Sequence, residues 1–141
     1  MKRWSIFAMA LVVIVFCLSA CGQTSGNNTK TESEKGVVQV LYFHGHQRCA
    51  TCVAVEERTK ELLETEYFDA QKEGKLKFRA IDFSKSDGEA IADRYEVAYS
   101  SLLLVKDGNV VNLTDMGFRY ARTEPETFKA NLKAEIDKLL E

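Results

Sequence analysis

Four residues within nine consecutive positions, His44, His46, Cys49 and Cys52, concentrate the reactive side chains of this sequence. Cys49-Ala50-Thr51-Cys52 is a C-x-x-C, a spacing that keeps the second sulfur within reach of the first when the segment opens a helix. A thiolate rather than a thiol attacks disulfides, and a free cysteine with a pKa of about 8.5 is mostly protonated at neutral pH. At a helix N-terminus Cys49 would meet unpaired N–H groups and the positive end of the macrodipole. Arg48 adds a full charge if it turns toward the sulfur, and is otherwise a solvated surface cation. Cys52, one turn further in, would be more buried and better suited to resolving a mixed disulfide than to starting one. A bridge closing two intervening residues constrains the unfolded chain very little, so a structural staple is not its expected purpose. The expected catalytic residues are therefore Cys49, Cys52 and Arg48, in a thiol–disulfide oxidoreductase that needs no cofactor.

Metal binding is the rival reading. Two thiolates and two imidazoles from His44, His46, Cys49 and Cys52 are a known zinc set and also suit copper(I). Against it, structural zinc sites usually draw ligand pairs from separated segments, whereas here one loop would have to wrap the ion alone. Glu56 reads as a helix-surface acid paired with Lys60, and in a sharper role as a proton acceptor for Cys52. The sequence contains no G-x-x-x-x-G-K-S/T, no G-x-G-x-x-G and no G-x-S-x-G, so nucleotide and serine-hydrolase chemistry have no foothold.

The positions of the cysteines depend on processing. The chain has 141 residues and four cysteines, a length that corresponds to one domain. Met1-Lys2-Arg3 is a basic start, and Ile6 to Leu18 is an uninterrupted apolar run with small residues after it, the pattern of an export signal. The run is shorter than the roughly 20 residues a spanning helix needs. Leu18-Ser19-Ala20-Cys21 resembles the lipobox of bacterial lipoproteins, which implies removal of residues 1–20 and lipidation of Cys21 as the new N-terminus. Several acyl chains give stable anchoring because each buried methylene contributes about 0.8 kcal/mol. Cys17 would leave with the signal, so the folded domain would keep only Cys49 and Cys52.

Residues 21–36 are then the lipidated cysteine and a flexible tether of Gln, Thr, Ser, Gly, Asn, Lys and Glu, spanning about 20 Å as a coil. The domain would occupy 37–141 and face the periplasm or cell exterior, close to the bilayer. Nineteen basic residues against 21 acidic ones give a net charge of -2, so no basic footprint points to nucleic acid.

The elements that must position the cysteines follow from pattern. Val37 to Phe43 is β-branched and aromatic, too short for an ordinary helix, and reads as a buried strand. Ala50 to Phe68 reads as a helix, with Val55, Leu62 and Leu63 for a buried face. Leu76 to Ile81 alternates as a second strand. Ser86-Asp87-Gly88-Glu89 predicts a capping box and a short helix to about Tyr95, turning Ile91 and Ala92 inward. Leu102 to Val105, Asp107-Gly108 and Val110-Val111 predict a hairpin. Thr123-Glu124-Pro125-Glu126 predicts another capping box with proline in the first turn. Phe128, Leu132, Ile136 and Leu139 then recur on one helical stripe, with Lys129, Lys133 and Lys138 outside. The order is β-α-β-α-β-β-α, a mixed sheet with helices on both faces.

Over about Val37 to Leu140 the sequence resembles the thioredoxin family in a minimal form. The resemblance is carried by Cys49-Ala50-Thr51-Cys52 after the first strand, Ile81-Asp82 closing the second, Leu102 to Gly108 in the hairpin, and Gly117. Tyr42-Phe43-His44-Gly45 with Arg48-Cys49-Ala50-Thr51-Cys52 resembles more closely the small thioredoxin-like proteins of arsenic-resistance gene clusters, labelled subunits of a nitrophenyl-compound nitroreductase. The resemblance implies a thioredoxin-like α/β sandwich with a mixed central sheet, exchanging disulfides with a protein disulfide or dithiol partner in the exported compartment, including electron delivery to a partner reductase; the chain is expected to be a monomer.

Three departures stand out. Arg48 replaces the tryptophan that usually precedes the first cysteine. Tyr42 falls where the family buries an acid, and Ser100 stands where it has a cis-proline.

Overall fold

The computed structural model describes residues 35–141. The signal segment, Cys21 and the tether as far as residue 34 lie outside the described residues. Four strands, β1 (Val38–His44), β2 (Leu76–Asp82), β3 (Ser101–Lys106) and β4 (Asn109–Asn112), and five helices, α1 (Ala50–Glu66), α2 (Phe68–Lys72), α3 (Ser86–Arg94), α4 (Thr114–Tyr120) and α5 (Pro125–Leu140), follow one another as β1-α1-α2-β2-α3-β3-β4-α4-α5.

The strands form one sheet in the order β2-β1-β3-β4. β1 and β2 are parallel, with Val38 opposite Leu76 and His44 opposite Asp82. A parallel pair needs a crossover connection, which α1 and α2 supply. β3 runs antiparallel to β1, pairing Leu41 with Leu103, and β4 returns antiparallel to β3. This is the thioredoxin-like mixed sheet of the sequence reading, with two short helices added.

Alternation along β1 and β3 divides the core into two layers. Val38, Val40 and Tyr42 with Leu102 and Leu104 pack on one face against Val55, Leu62 and Leu63 of α1 and Phe128, Leu132 and Ile136 of α5. Leu41, Phe43, Leu103 and Val105 point to the opposite face and pack with Ile81 and with Ala92 of α3. Both faces of β1 are therefore covered, which is why its residues read as a nearly continuous apolar run. The stripe expected on α5 is buried at Phe128, Leu132 and Ile136, with Leu139 partly buried beside them.

Two turns show why particular residues stand where they do. Asp107 and Gly108 both have positive φ, 51° and 83°, which is the pattern of a two-residue hairpin turn matched to strand twist. Asp107 Oδ1 also accepts a 2.8 Å hydrogen bond from the Gly36 N–H, tying the start of the domain to the hairpin. In α3, a Cβ on Gly88 would lie 2.0 Å from the Asp82 carbonyl oxygen, so only glycine lets the helix approach the end of β2.

Some details differ from the sequence reading. The long first helix ends at Glu66, because Tyr67 turns its ring into the core and its hydroxyl bonds to Asp137 at 2.6 Å; α2 restarts beyond it. Neither capping box forms. The N-cap of α3 is Lys85 and that of α5 is Glu124, neither with a side-chain cap bond, while Pro125 opens α5 as expected.

The helix α4 is an addition to the β-α-β-α-β-β-α order. Thr114 anchors it: its N–H donates to Asn112 Oδ1 at 2.9 Å and its Oγ1 accepts from the Leu102 N–H at 3.1 Å. Gly117 sits within α4, where a Cβ would meet Val55 at 3.5 Å and Phe128 at 3.7 Å.

Candidate redox site

β1 ends at His44, and the loop from Gly45 to Arg48 delivers the chain to Cys49, the N-cap of α1. Cys49 is extended, with φ -74° and ψ 162°, and its Sγ accepts a 3.1 Å hydrogen bond from the Cys52 N–H. A cysteine thus occupies the position usually filled by Ser, Thr, Asp or Asn, and satisfies one of the orphan donors of the first turn. Cys49 and Cys52 are joined in a disulfide, with their Cα atoms 5.0 Å apart. Cys49 is exposed and Cys52 is buried at 7% exposure. This asymmetry orders them chemically, since a partner can reach Cys49 first.

Tyr42 lies beneath the pair. It is fully buried in the layer that α1 covers, and its hydroxyl donates a 2.7 Å hydrogen bond to the Cys52 carbonyl oxygen. Burial pushes the phenol above its ordinary range, against the opposing pull of Arg48 and Ser100. Tyr42 therefore remains a neutral hydroxyl and a donor. It does not offer the proton-accepting group that an acid at this place would.

Arg48 is exposed, as a surface cation would be, and it has a partner. Its guanidinium pairs with Glu56 Oε2 and lies 5.9 Å from the centroid of the Tyr42 ring. Glu56 is paired with Lys60 as expected, Oε1 accepting from Nζ at 2.6 Å, but it is buried at 8% exposure instead of lying on the helix surface. Burial pushes its carboxyl up, yet Lys60 and Arg48 outweigh that and hold it below the usual carboxylate range. Both oxygens are engaged and the group is a weak base. The sequence signal for this arrangement was the helical spacing of Glu56 four residues after the inward-facing Cys52, which places both on one face of α1.

His44 is half-buried, its Nδ1 3.1 Å from the Gly45 carbonyl oxygen and its ring 6.1 Å from that of Tyr42, while His46 is exposed. Among the described residues, no three His, Cys, Asp or Glu side chains are grouped so that they could hold one metal ion. Ser100 lies in the bend before β3, and the described residues contain no cis peptide bond. A cavity of about 290 Å³ opens at the carboxyl ends of β1 and β2, lined by His44, Arg79, Asp82, Lys85 and Asp87; neither cysteine lines it. Among the described residues, no helix is long and apolar enough to cross a membrane.

No protein-family model matches the chain, and no curated protein matches it. Among solved structures it is similar to a malarial protein at 20% identity and a TM-score of 0.43, over 55% of this chain and 80% of that one. It is similar also to a Fasciola hepatica thioredoxin at 22% identity and a TM-score of 0.41, over 63% of this chain and 81% of that one. A thioredoxin from Thermus thermophilus matches at 17% identity and a TM-score of 0.33, over 55% of this chain and 59% of that one. The architecture rests on the chain's own strand order and connections, not on these likenesses. Fold and site together define an α/β sandwich whose first strand-to-helix junction carries a C-x-x-C pair within disulfide distance.

Proposed function

We propose that this chain is an exported, membrane-anchored thiol–disulfide oxidoreductase acting on a disulfide or dithiol of a protein partner. The observation that carries the reading is an exposed Cys49 capping α1, bonded to a buried Cys52. In the reducing direction the Cys49 thiolate attacks a partner disulfide, forming a mixed disulfide and releasing one partner thiolate. Cys52, as a thiolate, then attacks Cys49 Sγ. The internal disulfide forms, the second partner thiolate leaves, and two electrons with two protons have passed from the domain to the partner. The oxidising direction is the reverse. The N–H that caps Cys49 Sγ is also placed to stabilise its thiolate, so the helix start lowers the cost of exposing the nucleophile.

Export and anchoring rest on Leu18-Ser19-Ala20-Cys21 behind an apolar signal, with Cys21 as the lipidated residue. The anchor confines the domain to the bilayer surface, facing the periplasm or cell exterior, so its partners are exported or membrane-facing proteins. Tyr42 to Gly45 with Arg48 to Cys52 supports delivery of electrons to a partner reductase, through the resemblance to the nitroreductase-subunit group. The domain acts as a monomer.

Single-cysteine variants test the roles. Cys52→Ser is expected to hold a disulfide-containing protein covalently through Cys49 until an external thiol releases it, and Cys49→Ser to trap nothing. Trapping through Cys52 instead, or full exchange activity in both variants, would overturn the reading.

A further inference from the structure

The disulfide state contains no cysteine charge, whereas the reduced state carries its negative charge chiefly on an exposed, helix-capping Cys49. Any fixed charge near Cys49 therefore acts on one side of the redox equilibrium only. Arg48 is the adjacent residue and the cation of the loop that ends at Cys49. Its side chain is 28% exposed, and its guanidinium is occupied by Glu56, whose other oxygen holds Lys60. The Tyr42 ring lies against the same guanidinium.

We propose that Glu56 is a positioning residue that tunes the Cys49–Cys52 couple by partly neutralising Arg48 beside it, so that the pair is more reducing than Arg48 alone would make it. The inference rests on the oxidoreductase reading above. The groups that meet at this point come from three segments: Tyr42 from β1, Arg48 from the loop after it, and Glu56 and Lys60 from α1. The cations Lys129 and Lys133 of α5 are instead paired with Glu61, Glu126, Glu66 and Asp137. Glu56 is thus the anion that controls Arg48. With both oxygens taken, it acts through the cation and not as a proton acceptor for Cys52.

The redox step balances as two glutathione thiols giving glutathione disulfide. Two electrons break the Cys49–Cys52 bond, Cys52 takes one proton, and the second proton passes to solvent when Cys49 stays a thiolate. Freeing Arg48 favours that thiolate and hence the reduced state. An opposite charge brought within contact distance shifts a cysteine by about one pKa unit or more. With Cys49 ionised as a thiolate in both the wild type and the variant, the corresponding change in the equilibrium is about tenfold, or about 30 mV for a two-electron couple.

The experiment equilibrates the full chain with glutathione buffers at pH 7 and counts oxidised and reduced Cys49–Cys52 in the wild type, Glu56→Gln, Arg48→Met and the double variant. Glu56→Gln is expected to shift the equilibrium about tenfold toward the dithiol, and Arg48→Met is expected not to shift it that way. In the Arg48→Met background Glu56→Gln is expected to have no further effect, which a merely structural role would not produce. An unchanged equilibrium in Glu56→Gln, or the same shift with and without Arg48, would overturn the proposal. In either case a wild type that still exchanges with glutathione leaves the oxidoreductase reading standing; a wild type that does not exchange removes that reading instead.

Discussion

The Tyr42 hydroxyl donates a 2.7 Å hydrogen bond to the carbonyl oxygen of Cys52, joining the end of the central strand to the first turn of the helix that carries both cysteines. The bond is buried and made by a phenol that burial keeps protonated. It fixes the height of α1 over β1 at the place where Cys52 must reach Cys49.

Tyr42→Phe removes this bond and leaves the ring in place. The Cys52 carbonyl keeps its position in the helix, so the expected loss of stability is about 1 kcal/mol. Urea unfolding should show a lower midpoint with an unchanged slope.

Gly88→Ala inverts the usual helix rule. In an exposed helix interior, alanine in place of glycine gains about 1 kcal/mol. In α3 the added Cβ meets a backbone oxygen at 2.0 Å, which cannot move away as a flexible side chain would. A net loss of about 1 to 3 kcal/mol and a lower Tm are expected.

Acid should weaken the fold partly through Glu56. Its carboxyl is held below its ordinary value of 4.5 in the folded chain. The group therefore contributes stability above that unfolded value, and this is lost as pH falls through the lower folded one. Glu56→Gln should cost about 2 kcal/mol at neutral pH. The gap to the wild type should close as the pH is taken well below 4.5, which denaturation midpoints measured across the acid range would show.

Parts of this molecule are legible in the sequence because local pattern and tertiary need agree. β1 is apolar because both of its faces are covered, and the stripe of Phe128, Leu132 and Ile136 is one face of one helix. The exposed Cys49 and buried Cys52 followed from their order at a helix start. Arg48 and Glu56 were not legible as a pair, since an arginine in the loop and an acid in the second turn meet only once the loop has folded back over α1. The break at Tyr67 and the helix α4 depend on Asp137, Leu102 and Phe128, partners distant in sequence. A capping box could be written at Ser86, but Ser86 is already the first helical residue of α3, behind an N-cap at Lys85.

Anchoring turns on a cysteine outside the described residues. Cys21→Ser should leave the precursor unprocessed or move the protein out of the lipid-linked membrane fraction. Fractionation with intact mass would check this, and a wild-type mass matching unmodified cleavage in a freely soluble protein would refute the anchor.

The central claim is that Cys49 and Cys52 carry out disulfide exchange with a protein. Its most direct measurement is the rate at which dithiothreitol reduces the disulfides of insulin with and without the chain, followed by turbidity as the freed chains aggregate. The wild type is predicted to accelerate the reaction at substoichiometric concentration, with the acceleration abolished in Cys49→Ser. A rate with the wild type equal to that of dithiothreitol alone, or an acceleration that survives in Cys49→Ser, would contradict the account.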